Sequence, residues 1–167
     1  MSESKTKKAP AKKTKAAGVR PDFQRVIDGE ATAASVLGLG PKDARHLLGF
    51  AAAMLEKDQL ETAEAAAEVA TNADPMSFDA WMVLGAVLAR KKEAERALAA
   101  YAHAAEIEPN SARLWCDVGE LKLSLGDEEG AAKALGLALK CDPKATTPGG
   151  KRAQAVIAKT YEKLAKR

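Results

Sequence analysis

Residues 75–109 read PMSFDAWMVLGAVLARKKEAERALAAYAHAAEIEP, and residues 109–143 read PNSARLWCDVGELKLSLGDEEGAAKALGLALKCDP. Laid over each other, the two stretches bring Pro75, Pro109 and Pro143 into one register 34 residues apart, and Gly85 with Gly119 as well. A fixed period of this length marks a repeat architecture. Trp81, Leu84, Gly85, Leu88, Ala97, Tyr101 and Ala104 fall on Trp115, Val118, Gly119, Lys122, Ala131, Leu135 and Ala138. One period earlier the same positions hold Leu47, Phe50, Ala51, Met54, Ala63, Ala67 and Ala70. Lys122 is the clearest departure. The small residues suggest close helix approach, with Gly85 or Ala51 on a first helix meeting Ala97 or Ala63 on a second. The bulky residues would fill the spaces between hairpins, and the prolines end helices and turn the chain into the next unit.

The period and its pattern resemble the tetratricopeptide repeat, a unit of two antiparallel helices. The reading is an all-α fold: three tetratricopeptide repeats forming a right-handed helical solenoid, with short N-terminal helices and a C-terminal capping helix. Composition agrees, since aromatics are only 4% and no Val/Ile-rich alternating run suggests a strand. Helix pairs are expected at 41–56 with 59–72, 77–90 with 93–107, and 111–125 with 128–141. Pro41 suits a first helical turn, Asp58 with Glu61 resembles a capping box, and Asp127 can cap the helix after Gly126.

The end repeats of such a stack expose apolar faces unless something covers them. At the C-terminus, Ala155, Val156, Ala158, Tyr161, Leu164 and Ala165 form an apolar stripe on a helix over 151–166, expected to lie against the third repeat. At the N-terminus, Pro21 to Asp28 and Ala31 to Leu37 read as two short helices with Phe23, Val26, Ile27, Val36 and Leu37 on the buried side. These either cap the first repeat or pair with a second subunit. The domain organisation is then a basic tail over 1–20, a helical segment over 21–40, and the repeat domain with its closing helix over 41–167.

The tail carries a formal +6 and the remaining chain −3, so the net +3 and the pI near 8.8 come from residues 1–20. Its composition cannot bury enough apolar surface to order itself. Basic tails can touch nucleic acid or anionic membranes. No aromatic or Arg/Gly pattern is interleaved here, so a solubilising leader is the reading adopted and nucleic-acid binding is not expected. No signal-type apolar core and no run of transmembrane length is present, which points to a soluble, cytoplasmic protein without direct membrane insertion.

Cys116 and Cys141 lack any CxxC spacing, and His46 and His103 stand alone on separate helices, so neither disulfide nor metal site is expected. No GxSxG, P-loop, GxGxxG or HExxH occurs. The chain reads as a binding protein, not an enzyme, and needs no cofactor.

In stacked hairpins of this type the first helices line the concave face. The positions expected to face it are Arg45, Leu48, Ala52 and Leu55, then Asp79, Met82, Ala86 and Ala89, then Arg113, Cys116, Glu120 and Leu123. That surface would be apolar and small, with charges at its edges, and would take an extended peptide with spaced aliphatic or proline side chains. Domains that clamp the terminal carboxylate of heat-shock proteins use Lys and Asn where this chain has Leu48 and Ala52, so an acidic C-terminus is not the expected ligand.

Three repeats, a short helical lead and one closing helix resemble the class II chaperones of bacterial type III secretion. The local matches are Gly29-Glu30-Ala31-Thr32-Ala33-Ala34 ahead of the Asp43 helix, Leu84-Gly85-Ala86, Tyr101 with Ala104, and Gly119-Glu120. The resemblance implies a cytoplasmic chaperone that holds a hydrophobic secreted translocator protein in extended form, through a Pro-x-Leu-x-x-Pro-like segment, before export. It also implies homodimerisation through the counterpart of residues 21–38. Family members commonly place aromatics in the groove; the matching positions here are Leu48, Ala52, Leu55 and Leu60.

Overall fold

The computed structural model describes Arg25 and residues 32–165. Among the described residues the chain forms eight α-helices and no strand. They are α1 (Ala33–Val36), α2 (Pro41–Glu56), α3 (Leu60–Ala73), α4 (Phe78–Arg90), α5 (Ala94–Ile107), α6 (Ala112–Ser124), α7 (Glu128–Cys141) and α8 (Pro148–Ala165). The hairpins α2–α3, α4–α5 and α6–α7 are the three repeats. Each second helix also meets the first helix of the next unit, α1 lies on α3, and α8 packs on α6 and α7. The helix boundaries expected from the period are met to within a residue or so up to residue 141.

The signals behind those boundaries recur with the period. Ser77 and Ser111 cap α4 and α6, their hydroxyls accepting from the N–H groups of Ala80 and Leu114 at 3.3 and 3.4 Å. Asp127 caps α7 by accepting from Gly130 N–H at 2.8 Å. Within each hairpin the turn passes through a left-handed residue at the same repeat position: Asp58 at φ 59°, Lys92 at 64° and Gly126 at 77°. Asp58 is therefore not a cap. Gln59 is the N-cap residue of α3 without a side-chain bond, and the Asp58 carboxylate instead accepts from Arg90 at 2.5 Å. The Trp and Pro positions are linked by a hydrogen bond, since Trp81 Nε1 donates to Pro75 O at 2.9 Å and Trp115 Nε1 to Pro109 O at 2.7 Å.

Helix crossing inside the hairpins follows a size match that differs from the expected pairing with Ala97. A Cβ at residue 85 would stand 2.5 Å from Cε1 of Tyr101, and one at residue 119 would stand 2.7 Å from Cγ of Leu135. Glycine is required because the large side chain from the second helix lies across it. In the first repeat the same pair is Ala51 with Ala67, both fully buried, so neither partner is large. Lys122, the departure from the pattern, runs its ammonium to Asp127 at 2.8 Å. Between the first two repeats, Glu64 is 9% exposed and accepts from Lys91 and from Arg96, the latter at 2.7 Å. The Lys91 bond is the main cause holding the Glu64 carboxyl below its ordinary value.

α8 begins at Pro148, three residues before the expected start, because Pro-Gly-Gly opens the helix instead of breaking it. Thr147 caps it, Oγ1 accepting from Gly150 N–H at 3.1 Å, and Pro148 takes the first turn where no N–H is needed. Gly149 lets the turn rest on α6, since a Cβ there would stand 2.5 Å from Arg113 N. The Asp142 carboxylate organises the approach by accepting from Thr146 N and Oγ1 at 3.0 and 3.1 Å and from Thr147 N and Oγ1 at 2.7 Å each. The docked face of α8 is Ala153, Val156, Ile157 and Thr160, whereas Ala155, Ala158 and Tyr161 of the expected stripe are exposed. Helix twist carries Ala155 and Ala158 to the side away from Ala153, while Tyr161 stands at the rim of a cleft that it lines with Leu135 and Ile157. The side chains of Leu164 and Ala165 lie outside the described residues. At the other end, α1 is a single turn with Ala34 buried and Leu37 55% exposed, so Leu37 does not face the core as expected. Phe23, Val26 and Ile27 lie outside the described residues.

Replacing Gly85 by Ala is expected to destabilise the protein by about 1–3 kcal/mol, because the new Cβ would overlap the Tyr101 ring laid across that position. In a double-mutant cycle by urea denaturation, Tyr101→Ala should lessen the cost of Gly85→Ala; strict additivity would refute the size match. The second expectation concerns acid. Hydrogen bonds, those of Thr147 foremost, hold the Asp142 carboxyl down at about 2, against an ordinary value of 3.8. A depressed carboxyl contributes stability above its unfolded value and loses it as pH falls through the folded one. Wild type should therefore lose α8 docking, followed by hydrogen exchange of the α8 amides, between about pH 4 and 2, and Asp142→Asn should have lost that contribution already at pH 7.

Candidate functional site

The concave side is built from the first helices, and their side chains converge on one cavity of about 420 Å³. Leu55 of α2 and Ala86 and Ala89 of α4 form an apolar wall. Arg113, Asp117 and Glu120 of α6 face it with Arg152 of α8, and Tyr101 of α5 closes the space between the first helices. Five expected residues thus share one cavity: Leu55, Ala86, Ala89, Arg113 and Glu120. Asp79 joins them at the rim, accepting from Arg113 at 3.3 Å.

The remaining expected residues lie elsewhere. Met82 and Cys116 are fully buried and offer no surface to a ligand. Successive first helices approach closely, so this repeat position fills the seam between them: Met82 packs in the main core with Leu48 against it, and Cys116 packs with Leu135, Ala138 and Ala153. Burial pushes the Cys116 thiol up to about 11, which keeps it protonated and unreactive at neutral pH. Arg45 is exposed beside Lys42 and His46. Leu60 is half-buried at the start of α3, and Ala52 is half-buried on α2 outside the cavity lining. Leu123 lines a second cleft of about 400 Å³ with Leu135, Leu139 and Ile157.

The electrostatics of the cavity differ from the apolar floor expected from the sequence. Arg152 Nε donates to Glu120 Oε1 at 2.9 Å, its NH2 donates to Oε2, and its NH1 stands 2.8 Å from Asp117 Oδ1. This fork binds two carboxylates of α6 at once and ties the closing helix across the groove. The Asp117 side chain is only 11% exposed. Burial is the main influence on its carboxyl and pushes it up, while the guanidiniums of Arg152 and Arg113 oppose that. Arg90 of α4 also lines the cavity, paired to Asp58. The repeat pattern missed Arg152 because α8 lies outside the three repeats, missed Tyr101 because its position was read as packing, and gave Asp117 no role. Among the described residues no group of three or more His, Cys, Asp or Glu is placed to hold a metal ion, and no helix is long and apolar enough to cross a membrane.

Arg152→Ala should cost about 1–2 kcal/mol at pH 7 by leaving Asp117 desolvated without its counter-charge. A buried carboxyl with a raised value prefers its proton in the folded state, so the deficit should shrink as pH falls into the carboxyl range. Adding Asp117→Asn should recover part of the loss in thermal denaturation. A deficit independent of pH and of residue 117 would show that the fork contributes only packing.

The tetratricopeptide-repeat sequence profile matches residues 78–111, the second repeat. No curated protein sequence matches the chain. Among solved structures, the Yersinia enterocolitica type III secretion translocator chaperone SycD superposes with a TM-score of 0.66 at 19% identity, over 79% of this chain and 97% of that one. PcrH, in complex with the chaperone-binding region of PopB, gives 0.65 at 22% identity over 71% and 97%. The first TPR of Spaghetti (RPAP3), bound to the HSP90 peptide SRMEEVD, gives 0.66 at 16% identity over 76% and 97%. The chain is thus an all-α tetratricopeptide-repeat solenoid that resembles the translocator chaperones of type III secretion.

Proposed function

We propose that the concave cavity binds an extended peptide segment, and that the client is a hydrophobic type III secretion translocator held in the cytoplasm before export. The observation that carries this reading is the convergence of Leu55, Ala86 and Ala89 on one open cavity between the first helices. A shallow aliphatic wall of this kind takes an aliphatic side chain but not a folded surface, and an extended chain presents such side chains one at a time. The fold shared with SycD and with PopB-bound PcrH supports the choice of client. Holding that segment would keep the translocator from associating with itself or with a membrane too early. In this reading residues 21–38 serve capping or homodimerisation, and the protein performs no catalysis.

A scaffold that joins soluble proteins is the second reading, favoured by the likeness to a TPR domain bound to an HSP90 peptide. The two part on the nature of the partner. Ala86 is half-exposed on the cavity wall, so Ala86→Glu should leave helicity intact while placing a charge where an apolar side chain sits, weakening capture at least ~10-fold. Affinity capture from the native cytoplasm should then recover one or two hydrophobic export proteins with wild type and not with the variant. A set of soluble partners would support the scaffold, and partners indifferent to Ala86→Glu would place the binding surface elsewhere.

A further inference from the structure

Each first helix of the three repeats is crossed by the second helix of its own hairpin, and α8 is a first helix without one. Thr147 caps it as Ser111 caps α6, and on that offset of 36 residues Lys151, Ala155 and Ala158 stand where Trp115, Gly119 and Lys122 stand on α6. On α6 this is the face that α7 crosses, since a Cβ at residue 119 would stand 2.7 Å from Cγ of Leu135. On α8 the same face is bare. Lys151, Ala155, Ala158 and Glu162 are all exposed, on the side turned away from the buried Ala153. On its flank Tyr161 is 70% exposed, the largest side chain of α8 left uncovered among the described residues.

The charges on that face narrow what covers it. Lys151, Ala155, Ala158 and Glu162 follow one another at intervals of four, three and four, which sets them in one line along the helix. The spacing reads the same from either end, with its midpoint between Val156 and Ile157. A second copy of the helix, antiparallel and related by a two-fold axis at that midpoint, therefore sets Lys151 opposite Glu162 of the second copy and Ala155 opposite its Ala158. Two alanines at the crossing let the backbones approach, and an ion pair closes each end. A parallel copy would instead set lysine on lysine and glutamate on glutamate, which like-charge repulsion disfavours. Among the described residues neither Lys151 nor Glu162 has an ion-pair partner, in contrast to Arg152 beside them, so the pairing displaces no internal contact.

We propose that the exposed face of α8 is a self-association surface, on which α8 of a second copy of this chain lies antiparallel and takes the place that a second helix takes in each repeat. The interface is isologous, with two reciprocal Lys151–Glu162 pairs about the alanine crossing. It is a different surface from residues 21–38 and from the concave cavity, and it closes the C-terminal end of both solenoids at once.

The test is sedimentation equilibrium of the full chain at low ionic strength. Wild type should form a dimer that weakens as salt is added. Lys151→Glu turns both ends of the line acidic and Glu162→Lys turns both basic, so each variant alone should weaken self-association at least ~10-fold. Both side chains are exposed in the single chain, and helicity at high dilution should be unchanged. An equimolar mixture of the two variants restores every opposite-charge pair and should recover the dimer, as should the double variant Lys151→Glu with Glu162→Lys. A wild type that stays monomeric overturns the proposal. So does a dimer indifferent to both substitutions, which would move the contact to residues 21–38 or elsewhere, and so does a loss that neither the mixture nor the double variant recovers.

Discussion

The contact on which the solenoid depends is the side chain laid across a missing Cβ inside each hairpin. Where the first helix offers Gly85 or Gly119, the second supplies Tyr101 or Leu135; where it offers Ala51, the second supplies Ala67. The crossing holds a large side chain in the second and third repeats and only two methyl groups in the first, so the first hairpin closes on small residues alone. The choice has consequences beyond the crossing. Tyr101 is long enough to pass through the hairpin and end in the concave cavity, so one residue is both core and site wall. Leu135, at the same position one repeat later, is shorter, and Ala132 replaces Leu98 beside it. The volume those two substitutions remove lies where the second cleft, lined by Ala132 and Leu135, opens beside α8.

The helix hairpins were legible in the sequence because their punctuation is local and repeats. Serine caps, left-handed turn residues and closing prolines each act through their own backbone, so they sit at the same place whatever surrounds them. The orientation of a given residue on a first helix was less legible. Met82 and Ala86 are one turn apart on α4, and periodicity alone places both on the same stripe. Which of them faces the cavity is decided by how closely α2 and α6 approach α4, a tertiary quantity. Met82 fills that seam and Ala86 stands clear of it.

The polar side of the groove was illegible for a different reason. The helix caps Ser77 and Ser111 stand 34 residues apart, but Thr147 follows Ser111 by 36. Counting onward by the repeat period therefore misplaces every residue of α8 by two, and Arg152 falls in truth at the place that Cys116 holds on α6. A buried thiol in one unit is replaced by a guanidinium in the next. The extra residues form the Thr146–Thr147 turn that grips Asp142, so the loop that docks α8 is also what turns Arg152 toward Asp117 and Glu120.

That dependence gives the charges of the groove a role distinct from attraction. Each of the cavity's three arginines is paired with a carboxylate outside its own helix, Arg90 with Asp58 in the first hairpin's turn, Arg113 with Asp79, and Arg152 with Asp117 and Glu120. Pairs of this kind add little net stability, because desolvation offsets much of the attraction. They do impose a condition on whatever enters, since a ligand charge must displace an internal partner or remain unpaired. A hydrophobic segment brings no charge and meets no such obstacle. In the proposed peptide-binding reading, the groove discriminates through rejection on its polar side and adhesion on its aliphatic one, and specificity of that form needs no pocket shaped to a single residue.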